Sequence, residues 1–222
     1  MKILISGGAG FIGSNLCDYL TRIKHNVIVI DDLSSGNKLN LSSLSDQIEL
    51  YEEKIEWFDF RKVSNVDAVV HLAAQPSVPF SITNFSDSSS TNLLGSINVI
   101  EYCRTNQIPL IYASSSAIYG NLSLGDDESN RIDLLSPYAA DKYAMELYAK
   151  TAYKLYKLSS VGLRLFNVYG PRQDPSSPYS GVISIFADRM LKGQDVKING
   201  GHQTRDFIYV KDVVETIYRA IV

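Results

Sequence analysis

Apolar and polar positions along this chain fall into two alternating patterns. Short, continuous apolar runs occur at KILIS (2–6), NVIVI (26–30), DAVVHLA (67–73), LIYAS (110–114) and SVGLRLF (160–166). They are too short for core helices and rich in β-branched residues, so they read as buried strands. Between them, FIGSNLCDYLTRI, TNLLGSINVIEYCRTN and the segment around SPYAADKYAMELYAK carry the three-to-four-residue apolar spacing of helices. Continuous apolar strands alternating with helices require a parallel sheet covered on both faces, which predicts an α/β, doubly wound fold. The glycine-flanked, proline-rich stretch GPRQDPSSPYSG (170–181) marks a change of region. The chain therefore divides into a main domain over 1–170 and the beginning of a smaller one over 171–222.

Glycine punctuates the first strand–helix junction. GGAGFIG places Gly7, Gly10 and Gly13 after the first strand and at the start of a helix, where they permit a tight turn facing a pyrophosphate. A glycine trio alone is weak evidence, but Asp31 ends the second strand 18 residues after Gly13. An acid there accepts hydrogen bonds from the adenosine ribose and repels a 2′-phosphate. No arginine follows it directly, so the expected cofactor is NAD and not NADP, on a Rossmann sheet.

Composition narrows the function classes. With 222 residues, 45% hydrophobic, 20% charged and a formal charge of −3, the chain is globular in character and has no electrostatic call for nucleic acid or an anionic membrane. No apolar run approaches the roughly 20 residues of a membrane span, and MKILISGG does not resemble a signal peptide. Cys17 and Cys103 read as buried, reduced thiols of a cytoplasmic protein. The scattered His25, His71 and His202 show no ligand spacing, so no metal is expected.

Candidate chemistry lies in SPYAADK. Tyr138 and Lys142 are four residues apart and share a helix face, but so are Tyr153 and Lys157. Context separates the pairs. Ser136-Pro137 reads as a helix start, which puts Tyr138 in the first turn, beside the serines of ASSSAIYG (113–120) at the carboxyl edge of the sheet. Tyr153 and Lys157 fall about four turns further along. A free phenol is too weakly acidic for base catalysis at neutral pH, so the expectation is that the Lys142 ammonium and an oxidised nicotinamide lower the Tyr138 pKa.

With these residues in view, the chain resembles the NAD-dependent sugar epimerase/dehydratase family of extended short-chain dehydrogenases/reductases. The stretches that carry the resemblance are GGAGFIGS, VVHLAAQPSVPFS, YASSSAIYG, YAADK, LRLFNVYGPRQ and QTRDFIYVKDVV, in family order over nearly the whole chain. The resemblance implies Ser115, Tyr138 and Lys142 as catalytic residues. Dehydratases and decarboxylases of the family carry acids after the catalytic serine or threonine, whereas Ser116 and Ala117 follow Ser115 here. That leaves an oxidise-and-return cycle at C4 of a UDP-hexose or UDP-N-acetylhexosamine, as in UDP-sugar 4-epimerases. Other readings are another nucleotide-sugar epimerase or reductase, or a non-catalytic NAD-binding sensor, against which the intact Tyr–Lys pair argues.

By position, the resemblance implies cofactor contacts from Gly7, Gly10, Phe11, Ile12 and Gly13, and from Asp31, Asp32, Ser35 and Gly36 around the ribose. It adds Ile55, Leu72, Ala73, Ala74, Asn92 and Ser114, with Tyr138, Lys142, Leu165 and Phe166 towards the nicotinamide. Substrate contacts are implied for Ser115, Ser116, Tyr138, Asn167, Val182, Ile198 and Arg205. Lys54 departs from the family by standing where an acid contacts the adenine amino group. A further stretch of roughly 100 residues, completing the substrate domain, is also implied. The helices near 83–104 and 137–157 resemble the pair through which family members form homodimers.

Overall fold

A computed structural model of the chain describes residues 1–121, 131–177, 180–198 and 200–222, so two residues of the 170–181 stretch lie outside the described residues. Six strands form one parallel sheet: β1 (Lys2–Ser6), β2 (Asn26–Ile30), β3 (Ile48–Tyr51), β4 (Ala68–His71), β5 (Leu110–Ser115) and β6 (Ser160–Leu165). Their order is β3-β2-β1-β4-β5-β6, with the chain reversing its winding direction between β1 and β4. A two-stranded parallel pair, β7 (Asn167–Tyr169) and β8 (Phe207–Tyr209), stands apart from it. The helices are α1 (Phe11–Arg22), α2 (Val78–Thr83), α3 (Phe85–Ser89), α4 (Gly95–Asn106), α5 (Pro137–Tyr156), α6 (Val182–Leu191) and α7 (Val210–Ile221).

Successive strand residues point to opposite faces, so each apolar run feeds two cores. Leu4, Ile28, Val69 and Leu110 join Val99, Cys103, Met145 and Ala149 of α4 and α5 on one face. Ile3, Ile5, Val29, Val70 and Ile111 join Leu16 and Leu20 of α1 on the other, with Val213, Val214 and Ile217 of α7 completing it. Fully burying one such side chain contributes about 1.5–3 kcal/mol, so the sheet is a rigid platform for the loops at its carboxyl edge. Tyr19 and Tyr218 seal the α1–α7 contact edge-to-face, with ring centroids 5.5 Å apart.

Three observed strands lie outside the apolar runs. β3 is an edge strand whose exposed Glu49 breaks the run, and β7 and β8 are only three residues each. α6 has no buried residue, which leaves it without the core contacts that stabilise most helices. No helix among the described residues is long and apolar enough to cross a membrane.

A polar seam runs through the protein behind the carboxyl edge. His71 is 2% exposed, with Nδ1 2.6 Å from Ser6 Oγ and Nε2 3.0 Å from Ser96 Oγ. Burial, reinforced by the nearby Lys142 charge, pushes the imidazole down to about 3, so it is a neutral connector across physiological pH.

Candidate active site

A cleft of about 760 Å³ follows the carboxyl edge from β3 to β6. At its centre the glycine turn packs too tightly for larger residues. Gly7 has φ +76°, and a Cβ on it would meet Ala73 N at 2.6 Å; a Cβ on Gly13 would meet Gly7 O at 2.1 Å. The turn delivers Phe11, Ile12 and Gly13, the first residues of α1, to the cleft. The N-cap, Gly10, supplies no side-chain hydrogen bond and the first turn holds no acid, so the amides and the positive dipole end are free for an anion.

Beside this turn, Asp31 is 7% exposed and held by two backbone amides. Its carboxylate accepts from Ala9 N at 2.8 Å and Leu33 N at 2.9 Å. Burial raises its pKa, and these amides oppose the rise. The nearest basic residue downstream, Lys38, is engaged by Glu52. Free amides at the start of α1 next to a fixed ribose acceptor, with Lys38 engaged by Glu52, form a donor set that fits NAD.

Along the same cleft, the sequence builds the catalytic candidates as expected. Ser136 caps α5, accepting from Ala139 N at 3.1 Å, and Pro137 occupies the first turn. Tyr138 donates its amide to Ser81 Oγ at 3.2 Å, which takes up another unpaired group of that turn. The Tyr138 phenol and the Ser115 side chain both line the cleft, and Ser115 favours the phenolate. Ser115 Oγ in turn accepts from Ala117 N at 3.1 Å, so it is fixed at the end of β5.

Lys142 is 4% exposed and donates from Nζ to Ala113 O at 2.8 Å, with Nζ 5.9 Å from the Tyr138 ring centre. Burial lowers its pKa to about 8, and the neighbouring Asp141 works against that fall. Asp141, itself buried, accepts from Ser89 Oγ at 3.0 Å.

Burial raises the Tyr138 pKa, and only Ser115 opposes it; the Lys142 ammonium is turned to the Ala113 carbonyl instead. The protein alone therefore stores a neutral phenol.

The decoy pair behaves differently. Tyr153 is 57% exposed and Lys157 is the left-handed C-cap of α5, remote from the cleft. Lys157 Nζ lies 5.7 Å from the centre of the Tyr153 ring.

The cleft brings together Gly7, Gly10, Phe11, Ile12 and Gly13 with Asp31, Asp32, Ser35 and Gly36. Ile55, Leu72, Ala73 and Ala74 line it, as do Ser114, Ser115 and Ser116, Tyr138, Lys142, Leu165, Phe166 and Asn167. Asn92, Val182, Ile198 and Arg205 are not among its lining residues. Asn92 is buried behind the wall, where its Oδ1 accepts from Gln75 N at 2.7 Å and its Nδ2 donates to Gln75 O at 3.2 Å. Its amide shapes the 73–77 loop. Ile198 is 67% exposed, and the exposed Arg205 donates to Thr204 O at 2.7 Å. Lys54 also lies outside the lining, although its neighbours Glu53, Ile55 and Glu56 are part of it.

Sequence reasoning missed Asn37, Asn40, Arg172, Gln173 and Asp174, which also line the cleft. Arg172 donates to Ser14 O at 2.7 Å and so ties the 170s loop to α1. The available signal was the polar cluster inside the proline-rich stretch.

A dinucleotide cradle and a Ser–Tyr–Lys constellation lining one cleft define a cofactor-dependent enzyme of the short-chain dehydrogenase/reductase type. The sequence model of the NAD dependent epimerase/dehydratase family matches residues 3–222, and the chain belongs to that family. Among its relatives, a putative UDP-glucose 4-epimerase of Methanocaldococcus jannaschii is 42% identical over 229 residues, covering 99% of this chain and 73% of the relative. Among solved structures, the UDP-N-acetylglucosamine 4-epimerase of Methanobrevibacter ruminantium, in complex with UDP-N-acetylmuramic acid, superposes with a TM-score of 0.94 at 39% identity. That match covers 99% of this chain and 72% of the other. The UDP-glucose 4-epimerase of Thermotoga maritima with UDP-glucose gives a TM-score of 0.91 at 38% identity, covering 99% and 73%.

Proposed function

We propose that this protein is an NAD-dependent 4-epimerase acting on a UDP-hexose or UDP-N-acetylhexosamine. The observation that carries this reading is the convergence of Ser115, Tyr138 and buried Lys142 on the cofactor cleft, with no acid at Ser116 or Ala117. Tyr138 Oη takes the proton of the sugar 4-hydroxyl, and Ser115 Oγ holds both oxygens in line. NAD, held with its nicotinamide towards Lys142, Leu165 and Phe166, would supply the acceptor for the C4 hydride and the donor for its return. Tyr138 then returns its proton to the 4-oxygen after the 4-keto sugar has turned, so no cofactor is consumed. With no second acid–base residue after Ser115, the cycle has no group placed to eliminate water.

The domain division follows the same reading: residues 1–170 hold the cofactor, and 171–222 begin the nucleotide-sugar region, to which Asn167, Val182, Ile198 and Arg205 contribute. Two free thiols, Cys17 and Cys103, suit a reducing cytoplasm. Exposed Ile82, Phe85, Leu94, Leu147 and Leu155 on α2, α3, α5 and the turn before α4 support a homodimer through these helices. Sedimentation should then report twice the 24.7 kDa of one chain, and a monomer at high concentration would rule the dimer out.

The direct test supplies NAD with UDP-glucose or UDP-N-acetylglucosamine and follows the C4 epimer by NMR. Appearance of the corresponding 4-epimer is expected. A protein that binds NAD but forms no epimer from either sugar would overturn the assignment.

A further inference from the structure

Glu146 lies four residues beyond Lys142 and eight beyond Tyr138, so all three share one face of α5. Its carboxylate reaches the sheet and not the cleft. Ser114 Oγ donates to Oε1, and Arg164 grips both oxygens, Nε to Oε1 at 2.9 Å and Nη2 to Oε2 at 2.7 Å. Ser114 and Arg164 are register partners across β5 and β6, so one carboxylate clamps both strands at their carboxyl ends. Arg164 continues outward: its guanidinium lies 5.0 Å from the centre of the Tyr119 ring, and that ring stacks on Phe166 at 6.2 Å.

The residues that follow these anchors bear the chemistry. Ser115 comes directly after Ser114, and Leu165 and Phe166 directly after Arg164, and all three line the cleft. Glu146, Arg164 and Tyr119 do not line it. The ordinary reading is a structural ion pair, but a half-buried pair is a weak source of stability because desolvation offsets most of its attraction. A forked Arg–carboxylate contact does supply fixed geometry.

We propose that Glu146 is a positioning residue: by clamping Ser114 and Arg164 it fixes where the Ser115 hydroxyl meets the Tyr138 phenol and where Phe166 walls the reaction centre. The proposal rests on the epimerase reading. Misplacement of reacting groups by about 1 Å costs on the order of a hundredfold in rate, so the effect falls on the chemical step and not on binding.

Glu146→Gln keeps the shape and removes the charge and one acceptor. It should lower kcat by about ten- to a hundredfold and leave KM and the NAD dissociation constant within about threefold. Displacing Ser115 removes the influence that favours phenolate, so Tyr138 ionisation and the rising limb of kcat should move to higher pH. The titratable groups around that phenol are Lys142 and Asp141 on its own helix and His71 on β4, which Lys142 faces; none is altered. Ionisation is read by ultraviolet difference titration of the NAD-loaded protein against its Tyr138→Phe variant, which needs no turnover. An inactive wild type would therefore sink the epimerase assignment and still leave the clamp testable. A folded Glu146→Gln protein with unchanged kcat and unchanged Tyr138 ionisation, or one weakened only in KM or NAD affinity, overturns the proposal. Should Glu146→Gln fail to fold, Arg164→Lys decides the matter, since it keeps the charge, loses the fork and should show the same displacements.

Discussion

Replacing Tyr138 with phenylalanine should lower epimerase turnover by about 10²–10⁴-fold while NAD still binds. The substitution removes one oxygen and nothing else from the cleft wall. The Tyr138 amide still reaches Ser81, and Ser136 and Pro137 still start α5, so the fold has no reason to respond. What disappears is the proton acceptor, and the loss corresponds to roughly 3–5 kcal/mol of barrier. The pH profile supplies a second signature. Tyr138 must be ionised to act as a base, and burial raises its pKa, so wild-type kcat should climb with pH until the phenol has ionised. The residual activity of the variant should lack that limb. Tyr153→Phe is the control, because the same spacing on the exposed end of α5 should leave turnover untouched. A Tyr138→Phe enzyme within a few-fold of wild type, measured by NMR of the 4-epimer, would remove Tyr138 from the proton transfer.

The sheet and the cradle were legible because each is dictated locally. Five apolar runs have the length and β-branching of strands, and the glycine turn permits only close approach, as the 2.1 Å overlap of a Cβ at Gly13 shows. Helix starts were equally local, since Ser136 and Pro137 satisfy or remove the first-turn donors themselves. The features that escaped depend on partners distant in sequence. β3 survives as a strand because Ile48–Tyr51 pairs with β2, although Glu49 interrupts its apolar pattern. Burial raises the Tyr138 pKa in the protein alone, and spacing that puts Lys142 on the right face cannot reveal that its Nζ is taken by Ala113 O. The buried Asn92 amide is held by Gln75 and Ser88, contacts between segments that one sequence does not display. Glu146 sits on the same four-residue step as Lys142. The step was visible; its meaning required the Ser114–Arg164 register of β5 and β6.

Lys142→Met should make the protein more stable near neutral pH and less active by at least about a hundredfold. The amine is 4% exposed, and burial depresses it from 10.5 to about 8. The difference, 10.5 − 8 = 2.5, corresponds to roughly 3 kcal/mol of native-state destabilisation at pH values where both the folded and the unfolded amine are charged. Methionine fills the same space without that penalty. Against the gain stands the donor lost by the Ala113 carbonyl, worth about 1 kcal/mol. The net expectation is about 2 kcal/mol, a rise of roughly 4–8 °C in Tm for a chain of this size. The sign with pH is fixed by linkage. Above about 8 the folded wild-type protein releases this proton while the unfolded chain keeps it until 10.5, so wild-type stability recovers across that window. The advantage of the variant should be complete below pH 8 and gone by 10.5, and paired denaturant titrations across that range would show it. A site kept at such expense to stability is one where function holds the charge in place. Curves for the two proteins that run parallel throughout would mean that the amine has the same pKa folded and unfolded, so that burial does not depress Lys142 and the stability argument fails.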